Sequence, residues 1–257
     1  MKKLFALILA ILMVASLAAC SGDTETETAD TNDTTAEELI MGTNAYFPPY
    51  EYYDADGTTI VGIDAEIAQA VADKLGMKLT IKDMDFDSLL TAVQTGSVDI
   101  VFAGLTVTEE RQQAVDFTVT YATGIQVIIV PNDSDIASVD DLAGKTIGVQ
   151  AGTTGDIYCT GDYGQDSVKQ FQNGALAVAA LQNGQVDCVV IDNEPAKSFV
   201  EANEGLKILD TEYITEDYAA AISKDNADLT TKVNNAMEEL KADGTIDAII
   251  AKYIKAE

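Results

Sequence analysis

A ten-residue phrase that occurs twice constrains this chain most. Residues 92–101 read AVQTGSVDIV and residues 180–189 read ALQNGQVDCV, identical at six of ten positions. Each copy runs from a helix end through a glycine into a strand. Gly96 and Gly184 stand where a left-handed residue closes a helix. The segments 98–101 and 186–191 are apolar almost throughout, as strands buried on both faces of a parallel sheet require. Helix–glycine–strand units also recur by chance in α/β chains, so the echo implies two related lobes only if the rest of the chain supports them.

It does. Apolar periodicity predicts a strand at 39–43, a helix from 64 to 75 capped by Asp64, a strand at 78–82, a helix at 88–95, the first echo strand, and a capped helix start at 108–111. The prolines and aromatics of 44–50 argue for a rigid loop. A second series follows: strand 124–130, short helix 138–142, strand 146–149, a helix from 155, a strand near 168, helix 174–183, the second echo strand, a helix with Pro195 in its first turn, and strand 207–209. A strand at 218–223 and helices at 228–242 and 245–255 close the chain. Strands alternating with helices give an α/β class with parallel-dominated sheets flanked by helices. The expected division is lobe I at 37–122 plus 216–257 and lobe II at 123–215, joined by a two-strand hinge.

Ligands of open α/β sheets bind beyond the carboxyl ends of the strands. Gly104, Thr106 and Arg111 follow the first echo strand, and Asp192 follows the second. One half thus offers a cation and hydrogen-bond donors, the other an anion. A small zwitterion needs that pair. Arg111 also reads as a solvated charge at a helix start, and Asp192 as a cap for the helix that contains Pro195.

Residues 1–19 carry Lys2 and Lys3 ahead of an apolar run and are expected to be a secretory signal peptide. Leu17-Ala18-Ala19-Cys20 resembles the lipobox of bacterial lipoproteins, which implies cleavage before Cys20 and lipid, such as palmitate, on it. Residues 21–36 hold no large apolar side chain and no positive charge, so 20–36 is expected to be a disordered acidic tether to a membrane. The formal net charge of −28 argues against nucleic acid as a partner. The chain has no histidine, which removes Ser–His and Cys–His nucleophile pairs and the commonest zinc ligand. No glycine-rich phosphate loop is present. No cofactor and no metal are expected. Cys159 and Cys188 form an even pair in an exported chain; they read either as a disulfide or as two small buried hydrophobes.

Four segments complete the reading: FPPYEY at 47–52, GIDAEI at 62–67, GLTVTEER at 104–111 and GVQAGTT at 148–154. In this order they resemble the bacterial extracellular solute-binding proteins of family 3, which serve polar amino-acid ABC importers. The resemblance covers roughly 38–257. Ala65 departs from it, since the family prefers a larger aliphatic there. It implies a two-lobed type II periplasmic-binding fold and no enzymatic activity. Arg111 would bind a ligand α-carboxylate, with Thr106 adding its hydroxyl and N–H and Gly104 its carbonyl. Thr154 and the Gly152–Thr153 turn would donate from the other lobe, and Asp192 would take the α-ammonium. Asn44, Phe47, Phe86 and Gln150 match positions that face the ligand side chain, although both phenylalanines also read as core. Some relatives that bind cationic amino acids carry an acid where Asn44 stands. Its neutrality favours an uncharged polar ligand such as glutamine, or cystine. The implied partners are a free L-amino acid and the permease and ATPase of an ABC importer, with the protein itself a monomer on the outer face of a membrane. The same fold also carries cyclohexadienyl dehydratases, for which a carboxylate such as Glu51 would have to project into the cleft. An amino-acid-sensing surface lipoprotein is a further alternative.

Overall fold

The structure is a computed structural model that describes residues 37–255 apart from Thr211. The signal peptide, Cys20 and the acidic tether lie outside the described residues. Along the chain come β1 (Glu38–Thr43), β2 (Tyr46–Phe47), β3 (Glu51–Tyr53), β4 (Ile60–Val61), α1 (Ile63–Leu75), β5 (Lys78–Asp83), α2 (Leu89–Gln94), β6 (Ile100–Val101), α3 (Glu109–Ala114), β7 (Val115–Phe117) and the long β8 (Ala122–Pro131). Then follow β9 (Ile147–Gln150), α4 (Thr154–Tyr163), β10 (Val168–Phe171), α5 (Gly174–Gln182), β11 (Cys188–Asp192), α6 (Asn193–Ala202), β12 (Leu206–Ile208) and β13 (Ile214–Tyr218). The chain ends on β14 (Ala221–Ser223), α7 (Ala227–Ala242) and α8 (Thr245–Tyr253).

Two sheets carry the fold, ordered β5-β1-β6-β14-β7 and β10-β9-β11-β8-β12, with β13 also on β8. Each has a parallel half followed by antiparallel strands. The sheets are therefore mixed rather than parallel-dominated. Apart from β12, the antiparallel strands are those joined through the two crossings between sheets. The chain passes from β7 to β8 and returns from β13 to β14, and the crossings are tied by Thr118 N–H to Ala220 O at 3.0 Å and Tyr121 N–H to Tyr218 O at 2.9 Å. The single strand expected at 218–223 is broken at the crossing, because β13 pairs with one sheet and β14 with the other. The rigid loop at 44–50 contains the two-residue β2, part of a small β2-β3-β4 sheet.

The echo is structural. Gly96 and Gly184 adopt φ of 72° and 65°, the left-handed values that glycine accepts without strain. In the first copy, Asp99 accepts the Ile40 N–H at 2.7 Å while its own N–H donates to Ile40 O at 2.8 Å. In the second, Asp187 makes the same reciprocal pair with Thr146, at 2.7 and 2.8 Å. Each echo aspartate thus pins its strand to the neighbouring one. Along β11, Cys188 and Val190 pack into one apolar cluster while Val189 and Ile191 pack into another, which is why the strand is apolar throughout. Helix α4 covers the first face and α5 and α6 the second. In the other sheet α2 covers one face, and α1, α7 and α8 pack together across the other. Cys159 and Cys188 are free thiols in a single buried cluster, so the disulfide expected as one alternative is absent. Burial pushes both up to about 12, which keeps them as thiols.

Candidate functional site

Between the two sheets lies a small cavity lined from both sides. Asn44, Phe47, Phe86, Gly104, Thr106, Arg111, Gln150, Thr153, Thr154 and Asp192 all line it, and Glu51 and Ala103 join them. They come from strand ends and helix starts of both sheets, where backbone groups lack partners within their own element.

Arg111 sits in the first turn of α3, whose cap Thr108 accepts the Arg111 N–H at 3.1 Å. Its side chain turns inward and is 6% exposed, so it is not a solvated charge. Nη1 donates to Thr106 O at 2.8 Å and Nη2 to Gly152 O at 3.1 Å, one partner beside each sheet. The guanidinium lies over the Phe86 ring, 5.6 Å from its centroid. Among the described residues no carboxylate forms an ion pair with it. Burial draws its pKa down, opposed by the charges of Glu216 and Asp192. The result is a buried cation with planar donors and no anion of its own.

Asp192 closes β11. It stands at the cap position of α6 but makes no side-chain cap bond. Instead it accepts the Tyr218 hydroxyl. Gly124 allows this pairing, since a Cβ there would stand 2.0 Å from the Tyr218 oxygen and 2.9 Å from the Asp192 carboxylate. Burial pushes Asp192 up to about 7, against the lowering effect of the Tyr218 hydrogen bond.

The remaining expected residues divide by what they already bind. Thr153 caps α4 and donates to Gln150 O at 2.8 Å. The Gly152 N–H donates to Asp156 at 3.0 Å, so the turn offers less to a ligand than its sequence implies. Gln150 donates to Asn44 Oδ1 at 3.0 Å, joining the two side-chain positions across the cavity, and Asn44 donates to Met84 O at 2.8 Å. Phe47 packs so closely on Gly104 that a Cβ there would stand 2.6 Å from the ring.

Three carboxylates at or beside the site were not among the expected amino-acid-binding residues, although Glu51 is the one named for the dehydratase alternative. Asp64, expected as a helix cap, lies inside α1, whose cap position is Gly62. It is fully buried and accepts the Gly104 N–H and the Tyr121 hydroxyl, each at 2.8 Å. Burial raises it to about 6. Glu51 borders the cavity, 1% exposed, with its buried carboxyl set against that of Asp64. Burial and the Asp64 charge hold its pKa well above the usual range. Glu216, on β13, accepts from Thr154 Oγ1 at 2.8 Å, Gln126 Nε2 at 3.0 Å and Thr106 Oγ1 at 3.2 Å. The sequence carries no local signal for these roles, which depend on partners far away in the chain.

The arrangement holds a cation and an anion at fixed places between two bodies linked by two strands, as in a two-lobed binding protein. The chain belongs to the bacterial extracellular solute-binding proteins, family 3, whose pattern it matches over residues 39–256. It is therefore an exported solute-binding protein. It is similar to the arginine-binding extracellular protein ArtP of Bacillus subtilis, 33% identical over the whole of both chains. It also resembles the structure of an ancestral arginine-binding protein bound to arginine, with 42% identity, 84% of this chain and 98% of that one covered, and a TM-score of 0.80. An ancestral arginine-binding protein bound to glutamine gives 41% identity, 85% and 98% coverage, and a TM-score of 0.81.

Proposed function

We propose that this protein is the substrate-binding component of an amino-acid ABC importer and clamps a free L-amino acid with a cationic side chain, arginine foremost. The observation that carries this reading is the buried Arg111, bonded to carbonyls beside both sheets and facing Asp192 across one cavity. Arg111 takes the α-carboxylate by paired charge-assisted bonds and Asp192 takes the α-ammonium. Lobe I (37–122 and 216–257) and lobe II (123–215) close on the ligand about the two crossings.

Glu51 sets the side-chain preference and revises the expectation of an uncharged ligand. The acid sought at position 44 is supplied from position 51. Glu51 and Asp192 line the cavity with Arg111, which is the one buried cation among the described residues. A ligand with two positive groups and one carboxylate relieves that imbalance, and a neutral side chain does not. Similarity to arginine-binding proteins supports the same choice. The protein acts as a monomer, held to the membrane by lipid on Cys20, and hands its ligand to a permease driven by an ATPase.

Titration calorimetry against the twenty amino acids and cystine tests the reading. Removing one partner of a buried charge pair costs about 2–5 kcal/mol, so Arg111→Ala and Asp192→Ala lose about 30-fold or more in affinity. Lys145→Ala, which breaks only the exposed pair with Asp135, leaves affinity unchanged. Equal affinity of wild type and Arg111→Ala refutes the site.

A second reading is favoured by Glu51 alone: a buried acid in the cleft meets the requirement stated for a cyclohexadienyl dehydratase. The charge balance opposes it, because prephenate is a dianion and this cavity is already acidic. Decarboxylated aromatic product from prephenate or arogenate would establish the enzyme and displace the binding reading.

A further inference from the structure

We infer that Glu216 is a positioning residue that sets the hydrogen-bond polarity of the site, orienting the Thr106 and Thr154 hydroxyls so that they accept from the ligand's ammonium instead of donating to its carboxylate. The inference rests on the amino-acid reading above.

A threonine hydroxyl has one proton to give and two lone pairs. Both threonines line the cavity, and both give that proton to the same Glu216 oxygen, Oε2. What remains to face a ligand is acceptor capacity only. The third bond to Oε2, from Gln126, fixes the carboxylate between the two hydroxyls. Glu216 is buried and belongs to β13, the strand that leads from the second sheet to the first, so it meets one hydroxyl from beside each sheet. The ligand carboxylate is then left to Arg111 and to backbone donors such as the Thr106 N–H, which has no partner among the described residues. The ammonium meets Asp192 together with hydroxyl lone pairs. Thr106 and Thr154 thus serve the end of the ligand opposite to the one their residue type suggests.

The test compares a ligand with its des-amino analogue: L-arginine with 5-guanidinopentanoate, measured by calorimetry and competition on the full mature protein. Glu216→Met keeps the shape and removes the acceptor, freeing both hydroxyl protons to turn toward the cavity. It is expected to weaken L-arginine by about 10- to 100-fold and the des-amino analogue by less than about threefold. Glu216→Gln can place its amide oxygen at the Oε2 position and is expected to restore most of the loss. An equal loss for both ligands in Glu216→Met, or L-arginine affinity within about threefold of wild type, overturns the inference. If Glu216→Met does not fold, Thr106→Val removes one acceptor directly. A loss confined to the amino-bearing ligand then supports the inference, and an equal loss for both refutes it. If wild type prefers L-glutamine, the same comparison is made with that amino acid and its des-amino analogue. Wild type that binds no amino acid refutes the functional reading itself, and this inference with it.

Discussion

Glu51→Gln separates the side-chain subsite from the rest of the clamp. The substitution preserves shape and removes the ionisable group from a side chain that is 1% exposed and lies against Asp64. A cation about 4 Å from a carboxylate at an effective dielectric near 20 gains about 4 kcal/mol. The amide retains a neutral hydrogen bond worth about 1 kcal/mol, and desolvation of the two charges removes part of the remainder. The net loss is about 2–3 kcal/mol, or about 30- to 150-fold weaker arginine. Glutamine carries no cation to lose, so its affinity should stay within about threefold, at the level of one neutral hydrogen bond. Stability moves the other way. Burial holds the Glu51 pKa above its unfolded value, so the stability it contributes is complete at low pH and is lost as pH rises through the folded value. Glu51→Gln escapes that loss, and its melting temperature should exceed that of wild type by more at pH 8 than at pH 5. Calorimetric titration with arginine and glutamine, plus thermal melts at the two pH values, provides the assay. Arginine affinity within about threefold of wild type refutes Glu51 as the cation's partner.

Affinity should depend on pH, because the ammonium needs Asp192 ionised. With Asp192 raised to about 7 and Glu51 raised in the same direction, binding releases protons, and affinity falls below about pH 7 by up to about tenfold per unit for each proton displaced. Titrations in two buffers of different ionisation heat count those protons, and a flat profile from pH 5.5 to 8 contradicts the assignment. The ligand-free fold shows the opposite trend: stability that depends on neutral Asp192 and Asp64 is complete below about pH 4 and is lost as pH rises through about 6 to 7. Gly124→Ala drives a methyl group into the Tyr218–Asp192 contact and should weaken ligand binding at least about tenfold, measured by the same titration. Asp99→Ala breaks the Ile40 tie of the first echo and should cost about 1–2 kcal/mol in urea unfolding while leaving affinity within about twofold, which separates scaffold from site.

The parts legible in the sequence share one property: their signal is local. Gly96 and Gly184 announce their left-handed caps, β11 its double burial, and Thr108 the cap that precedes Arg111. The echo strands and the family resemblance together anticipated ten residues that the structure brings to one cavity. Asp64 was misread because an acid near a helix start has the composition of a cap, and only the approach of Gly104 and Tyr121 reveals its other use. β7 went unread because three residues, Val115–Phe117, carry too little periodicity to signal a strand.

By itself, then, the sequence determined two α/β series with equivalent strand ends, and the residue types placed just beyond them. Helix and strand periods, caps and motif order act within a few residues, so they survive in a one-dimensional text. Tertiary structure alone decided the charge and hydrogen-bond polarity of the space between the sheets. Glu216 reaches Thr106 across 110 positions and Thr154 across 62, and Gln150 reaches Asn44 across 106. Glu51 became a buried acid beside Asp64 only because the walls around the two exclude water. Burial sets the cost of a charge and geometry sets the direction of a shared proton, and both arise only when distant segments meet.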